Sequence, residues 1–403
     1  MAVTTVIKTI GSGGDYTTLQ SWEDAKPTDL TDSRSNTTQA GSTSSTIVLD
    51  ASASGTTGAY IGHAVSCDAR PSEKRLITAY NTSTKVATIG VLNGSSATWA
   101  NTPGTEAYTI DQCIWQGQIK SATDHFVGAA FANMLTISGS TTSSTCYAEL
   151  TTAAGAGFNQ NANVQTNALK YNTANGCSID ANPAYNQAIL TSETQTRFSN
   201  LQVTSVSSGG NGSTYQLFGV LVNSCIFQIT NGSEGANVRG TFNNCLFVNT
   251  SGVVIHINDF AVGGTDSFNG CTFIGNGGGA AFATGYCTVT LKNCAVFNCT
   301  AVNAAFGGGV TFTSTTCGSD LASPGTGFTG SMSFSGSTFV STTDLRLVTG
   351  SPLLNIGTTD STDTPTDIAG TTRPQGSAYD IGCWELVVGG GTVNSGFFFA
   401  VSR

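Results

Sequence analysis

The feature of this 403-residue chain that most restricts its fold is a short pattern that returns at a varying interval but in a fixed frame. Phe242-Asn243-Asn244-Cys245-Leu246-Phe247 is answered by Phe268-Asn269-Gly270-Cys271-Thr272-Phe273 and by Phe334-Ser335-Gly336-Ser337-Thr338-Phe339. Weaker copies stand at Phe198–Val203, Val222–Phe227, Leu291–Val296 and Thr313–Cys317. With Leu201, Cys225, Cys245, Cys271, Cys294, Cys317 and Ser337 as the equivalent position, the intervals are 24, 20, 26, 23, 23 and 20 residues, which are solenoid periods.

Within each copy small or apolar residues alternate with polar ones, as a half-buried strand requires, and Asn or Gly precedes the Cys position as a turn residue. A strand that recurs every 20–26 residues without helical periodicity predicts an all-β parallel β-helix. Leucine-rich repeats share the period but carry a Leu frame. Coils stacked about 4.8 Å apart would line the seven positions into a ladder about 30 Å long. Leu201 and Ser337 can replace Cys in a packed ladder but not in a redox or metal site, so the Cys are predicted to be core. Zinc sites favour close Cys pairs, and the nearest here is Cys294 with Cys299; no metal site is predicted. Disulfides among Cys113, Cys146, Cys177, Cys287, Cys299 and Cys383 remain open at this stage.

Composition agrees. Only 10% of residues are charged and 49 are Gly, too few helix formers for a bundle or a doubly wound α/β fold. At 39% hydrophobic with 21 Phe, the chain is also unlike a disordered one. The net charge of −9 and the lack of a basic patch argue against nucleic acid. Arg70, Lys74 and Arg75, the densest basic stretch, read as a solvated turn between strands. The opening Met1–Lys8 has neither a basic leader nor an apolar run, and no stretch reaches membrane-spanning length, so the expectation is a protein made soluble in a cytoplasm with no membrane contact.

Five regions are predicted. Residues 1–40 form an N-terminal cap, with Thr17 or Thr18 capping a short amphipathic helix that carries Leu19 and Trp22 on one side. Residues 41–110 form a small antiparallel β module, residues 111–343 the parallel β-helix, and residues 344–386 a closing lid. Residues 387–403 form a Gly-linked arm carrying Phe397, Phe398, Phe399 and Val401. Burying three Phe is worth about 5–9 kcal/mol before ordering costs. The arm therefore adds a strand to a neighbouring subunit, plugs an interface between subunits, or folds back on its own lid. Phe397, Phe398, Phe399 and Val401 are the predicted interface residues.

Gly13-Gly14-Asp15-Tyr16-Thr17-Thr18-Leu19-Gln20 resembles the opening segment of right-handed β-helix proteins of the pectate-lyase-like superfamily. Asp344–Leu347, Ser351–Gly357, Asp367–Pro374 and Tyr379–Glu385 resemble the closing block of many such proteins, where it folds over the last coil. Leu49–Ser54, Ala59–His63 and Arg75–Thr88 resemble a module found in structural proteins of tailed bacteriophages. The resemblance implies right-handed winding and a place on the virion surface. It implies a capsid decoration or cement protein, a homo-oligomer and by analogy a trimer, bound to the major capsid protein or another virion protein. It does not imply lyase activity.

Two other readings stay open. A tailspike or tail-fibre component would bind or cleave host surface polysaccharide, with Glu234, Asp259 and Asp266 as its acids; a non-viral β-helix adhesin would need export. Glycoside hydrolysis uses two carboxylates about 5–9.5 Å apart. The one local cluster, Arg239, His256, Asp259 and Asp266, reads as loop groups on separate faces, so no catalytic or cofactor-binding residue is predicted. His63, His125 and His256 lack metal-ligand spacing, and Asp363, Asp367, Asp380 and Glu385 match no calcium loop.

Overall fold

A computed structural model describes residues 2–128, 133–161, 163–181, 188–206, 215–230, 235–258, 264–306 and 308–387. The fold is all-β, with long parallel sheets wound in a solenoid-like stack. One sheet of nine parallel strands runs from His125–Val127 through Ile226–Thr230, Leu246–Asn249, Thr272–Ile274, Ala295–Phe297 and Cys317–Ser319 to Phe328–Thr329. The other, of fourteen strands, begins with Val3–Ile10 paired in parallel to Gln112–Ile119. At Ala236–Asn243 it forks into two columns. One is Ile255–Asn258, Phe282–Gly285 and Asn303–Ala305; the other is Thr265–Asn269, Thr288–Lys292 and Thr311–Thr315. Each later coil thus has three sides.

The corner before the Cys position explains why the repeat recurs. Asn200, Ser224, Asn244, Gly270, Asn293 and Thr316 all take positive φ, between 52° and 63°, and turn the chain from one sheet into the next in a single residue. Asn tolerates that left-handed conformation better than most side chains, and Gly270 pays no Cβ cost in it. Directly after the corner, Leu201, Cys225, Cys245, Cys271, Cys294 and Cys317 point into the core and are buried. The thiols donate to backbone carbonyls of the coil behind, as Cys271 does to Phe242 at 3.3 Å and Cys294 to Phe268 at 3.2 Å. Beside this ladder Phe227, Phe247 and Phe273 stack face to face, with centroids 5.1 and 5.3 Å apart. All twelve cysteines are free and buried, so the disulfides left open by the sequence are not formed.

The seventh predicted copy is not part of the stack. Gly336 lacks positive φ, Ser337 is exposed, and Phe339–Ser341 pairs antiparallel with Asp344–Leu347. Without a left-handed corner the segment cannot re-enter the coil, and Phe334 and Phe339 pack instead on Phe297 from outside.

The N-terminal cap contains the first strand of the solenoid as well as its helix. Thr18 caps the helix Leu19–Asp24 through its hydroxyl and Ser21, as expected for one of the two candidate threonines. Leu19 and Trp22 join Val6, Ile10, Leu135 and Ile137 over the end of the core. Trp22 lies so close to Gly117 that any Cβ there would meet its ring at 2.6 Å. The antiparallel module is a six-stranded sheet that already includes Arg34–Thr37, so it is inserted between the first and second strands of the stack. Its core is Ile47, Leu49, Val65, Ile77, Trp99 and Tyr108 with their neighbours.

The block 344–386 is not a cover over the last coil. It lies along the outer face of the nine-stranded sheet as a strap. Leu345, Leu353, Ile368, Ile381 and Trp384 share one apolar cluster with Ile226, Leu246, Ile274, Ala295 and Phe297. It extends back to the early coils, where Leu345 N–H donates to Leu169 O and Arg346 to Gln165 O. The reason lies in the strands beneath: Leu246, Ile274 and Phe297 face outward, and a second apolar face must be covered.

Candidate functional site

The strap is fastened by the same residues that turn the corners. Asn244 Nδ2 donates to Thr366 O at 2.7 Å. Asn293 makes a two-way clasp with Thr358, donating to its carbonyl at 2.6 Å and accepting from its amide at 2.8 Å. Thr316 and Thr358 share a hydroxyl bond of 2.7 Å, and Cys383 N–H donates to Thr272 Oγ1 at 3.0 Å. A second row, Asn223, Asn243 and Asn269, bonds amide to amide up the stack at 3.0 and 2.9 Å. The repeat predicts these Asn as turn residues; their role as fasteners depends on a segment over sixty residues away.

Three acids of the strap, Asp367, Asp380 and Glu385, serve its own loops. Asp367 accepts from the amides of Ala369, Thr371 and Glu385; Asp380 accepts from Asn355 and Leu386; Glu385 accepts from Gln375 and Asp380. Arg373 lies 3.6 Å from Glu385 and donates to Gly382 O at 2.7 Å. Burial pushes the Asp367 carboxyl up to about 6 and raises those of Asp380 and Glu385. Oxygens filled by backbone donors staple loops, and among the described residues no group of three His, Cys, Asp or Glu is placed to hold a metal.

Asp266 is buried and accepts from Gly240 N–H at 2.7 Å, where the pairing of two long strands slips by one residue. It is therefore placed to hold a bulge. Glu234 and Asp259 lie outside the described residues, as do Phe397, Phe398, Phe399 and Val401. Each ring nitrogen of His63 is 2.9 Å from a carbonyl oxygen, of Asp29 and of Asp111, which ties the module to the cap and the stack. His125 bonds Ser178 at 2.9 Å, and His256 stacks on Phe306 with centroids 5.1 Å apart.

Arg70, Lys74 and Arg75 do not form a turn. They lie in the strand Arg70–Asn81, with Arg70 on Glu106, Lys74 on Asp111 and Arg75 on Glu73. Sequence reasoning also missed two charge contacts, one buried and one partly buried. Lys26 pairs with Glu193, which also accepts from Ser140 N–H, and so pins the cap to the solenoid. Arg34 and Tyr108 both bond Asp50, and the guanidinium holds that carboxyl well below the usual range. Neither pair has a sequence spacing that could announce it.

Among the described residues two aromatic rings stand exposed on the solenoid flank: Tyr286 is 47% and Phe306 51% exposed. At the far end of the stack lies an open cleft of about 650 Å³ lined by Val302, Phe312, Leu321 and Phe328 among others. Among the described residues no helix is long and apolar enough to cross a membrane. Comparison with known protein families, with curated proteins and with solved structures gives no match to this chain.

Proposed function

We propose that this chain is a structural protein of a bacteriophage virion, a capsid decoration or cement protein. A right-handed parallel β-helix would be its rigid body and a homotrimer its working form, bound to the major capsid protein or another virion protein at the particle surface. The observation that supports this reading best is the strap: the stack is clamped along its length by residues 344–386, through a shared apolar cluster and the bonds of Asn244 and Asn293. Such bracing suits a body that must resist deformation and proteolysis. The segments that resemble phage structural modules fall in the inserted antiparallel sheet, whose position at one end suits a docking element.

Imaging purified particles by cryo-electron microscopy and counting copies tests this. Many copies spread over the shell would support decoration; absence from the particle would overturn it. A second reading, a tail component that binds or cleaves polysaccharide, draws on the exposed rings of Tyr286 and Phe306, since aromatic faces on a solenoid flank can stack on sugars. A few copies at the tail tip would favour it and direct binding assays to Tyr286→Ala and Phe306→Ala.

A further inference from the structure

The contact between cap and solenoid at Lys26 holds more chemistry than an ion pair requires. Lys26 follows the capping helix and its side chain is 1% exposed; Glu193, just after the strand Ile189–Thr191, is 2% exposed. Nζ of Lys26 meets Oε1 of Glu193, lies 3.2 Å from Oε1 of Glu23, and is 3.3 Å from the carbonyl oxygen of Ser138. Glu193 Oε1 also accepts from Ser140 N–H at 2.9 Å. The other oxygen of Glu193, Oε2, is buried without a hydrogen-bond partner. A carboxylate oxygen left bare in a dry interior is costly, and this carboxyl stands against an amine. Lys74 and Lys292, paired to Asp111 and Asp360, keep their side chains 33% and 35% exposed instead.

We propose that Lys26 and Glu193 condense to an amide, a covalent cross-link between the cap and the solenoid. The lone pair of deprotonated Nζ forms the N–Cδ bond, and the Cδ–Oε2 bond breaks with its electron pair on oxygen. Of the three ammonium protons one stays on the amide nitrogen and two leave with Oε2 as water. Ammonium and carboxylate therefore give amide and water with no other reactant. Glu23, in contact with Nζ, takes a proton from it, passes it to the departing oxygen and ends unchanged. Ser140 N–H already bonds the oxygen that carries the charge of the tetrahedral intermediate. In water such a condensation is held back by the hydration of both ions and by the need to bring them together; folding has removed both obstacles here.

The hydrogen bonds close on the product. The amide N–H faces Ser138 O, the amide oxygen keeps Ser140 N–H, and Glu23 keeps Ser138 N–H on one oxygen and Gln20 on the other. The one unfilled atom is the one that leaves. The link joins residues 167 apart and spans the inserted antiparallel module, so a pull on that module would load a covalent loop. The inference does not rest on the virion reading.

Mass spectrometry of the full chain, purified and then unfolded in acid, tests this. The expected intact mass is one water below that of the sequence, once removal of the initiator methionine is allowed for. Chymotrypsin, cutting after Trp22, Leu30, Leu190 and Phe198, should yield Glu23–Leu30 joined to Thr191–Phe198 as one branched peptide. The full sequence mass with those two peptides separate would overturn the bond, and a lost water located elsewhere in the chain would overturn the site. Lys26→Arg keeps a cation against Glu193 but forms no amide, and supplies the unbonded reference. Glu23→Gln tests the proton carrier: in freshly synthesised chain the branched peptide should appear at least about a hundredfold more slowly. Formation at the unaltered rate would overturn the part given to Glu23.

Discussion

The two sheets of each coil are built from the same repeat but face different surroundings. Strands of the nine-stranded sheet, such as Thr272–Ile274 and Ala295–Phe297, are buried at every position, whereas Gln112–Ile119 and Thr288–Lys292 in the other sheet alternate buried with half-buried residues. A strand with one wet face alternates; a strand covered twice reads as an apolar run. The difference is visible in the letters Ala-Val-Phe against Thr-Val-Thr-Leu-Lys, and it shows that the solenoid is only half of the packing unit. The strap is the other half.

The largest expected effect separates inside from outside. Phe247 is fully buried and stacks between Phe227 and Phe273, so Phe247→Ala should cost about 3–5 kcal/mol in urea unfolding. Thr311, exposed on the alternating sheet, should change stability by no more than about 0.5 kcal/mol when made Ala. Similar losses at both positions would break the distinction between a packed interior and a solvated face.

Next is the outer face itself. Leu246 is buried beneath the strap, and Leu246→Ala should cost about 2–4 kcal/mol, less if the strap collapses onto the gap. Limited proteolysis should then cut within 344–386 before it cuts the solenoid. Simultaneous cleavage of both would mean that strap and stack form one cooperative unit.

How far the sequence revealed this arrangement depends on whether each part is local. The Cys register from Leu201 to Cys317, the corner residue and the helix cap, narrowed to Thr17 or Thr18, are set by neighbours within a few positions and could be read from the sequence. Phe334–Phe339 misled because its aromatics and its Gly336 copy the repeat, while the chain there does not take the left-handed turn that makes a coil. The course of the strap and the pairs Lys26–Glu193 and Arg34–Asp50 join residues distant in sequence, and a single chain carries no periodic trace of such contacts. For the strap one signal did exist: an apolar run too continuous for a one-sided strand asks for a cover.

The third comparison is between the strap and the antiparallel module under titration. Desolvation raises Asp367 to about 6, above its ordinary 3.8, so the folded strap binds this proton more tightly than the unfolded chain does. Its contribution is fully present below the unfolded value and is lost as pH rises through about 6, by up to about 2–3 kcal/mol. Asp50 in the module has the opposite sign. Bonding from Arg34 lowers its carboxyl, so that stabilisation is present above the ordinary value and lost as pH falls. Hydrogen exchange corrected for intrinsic rate should therefore show the strap better protected at pH 4.5 than at pH 7, and the module not. Asp367→Asn should flatten the strap's profile. Equal profiles in the two regions would contradict the assignment.

The smallest effect isolates what one corner residue does for each partner. Asn293 both holds a φ of 54° and clasps Thr358, so two substitutions divide its roles. Asn293→Gly keeps the left-handed turn without strain but removes the clasp, leaving Thr358 N–H and O to water; the expected cost is about 1 kcal/mol. Asn293→Ala removes the clasp and adds the left-handed penalty of a Cβ, for about 2 kcal/mol in total. Both should speed exchange at Thr358, whereas only Ala should weaken the coil around Cys294. If Gly and Ala cost the same, the turn is indifferent to its residue and the row of Asn is kept for the strap alone. If Gly costs nothing, the clasp adds no stability and the strap is held by its apolar face.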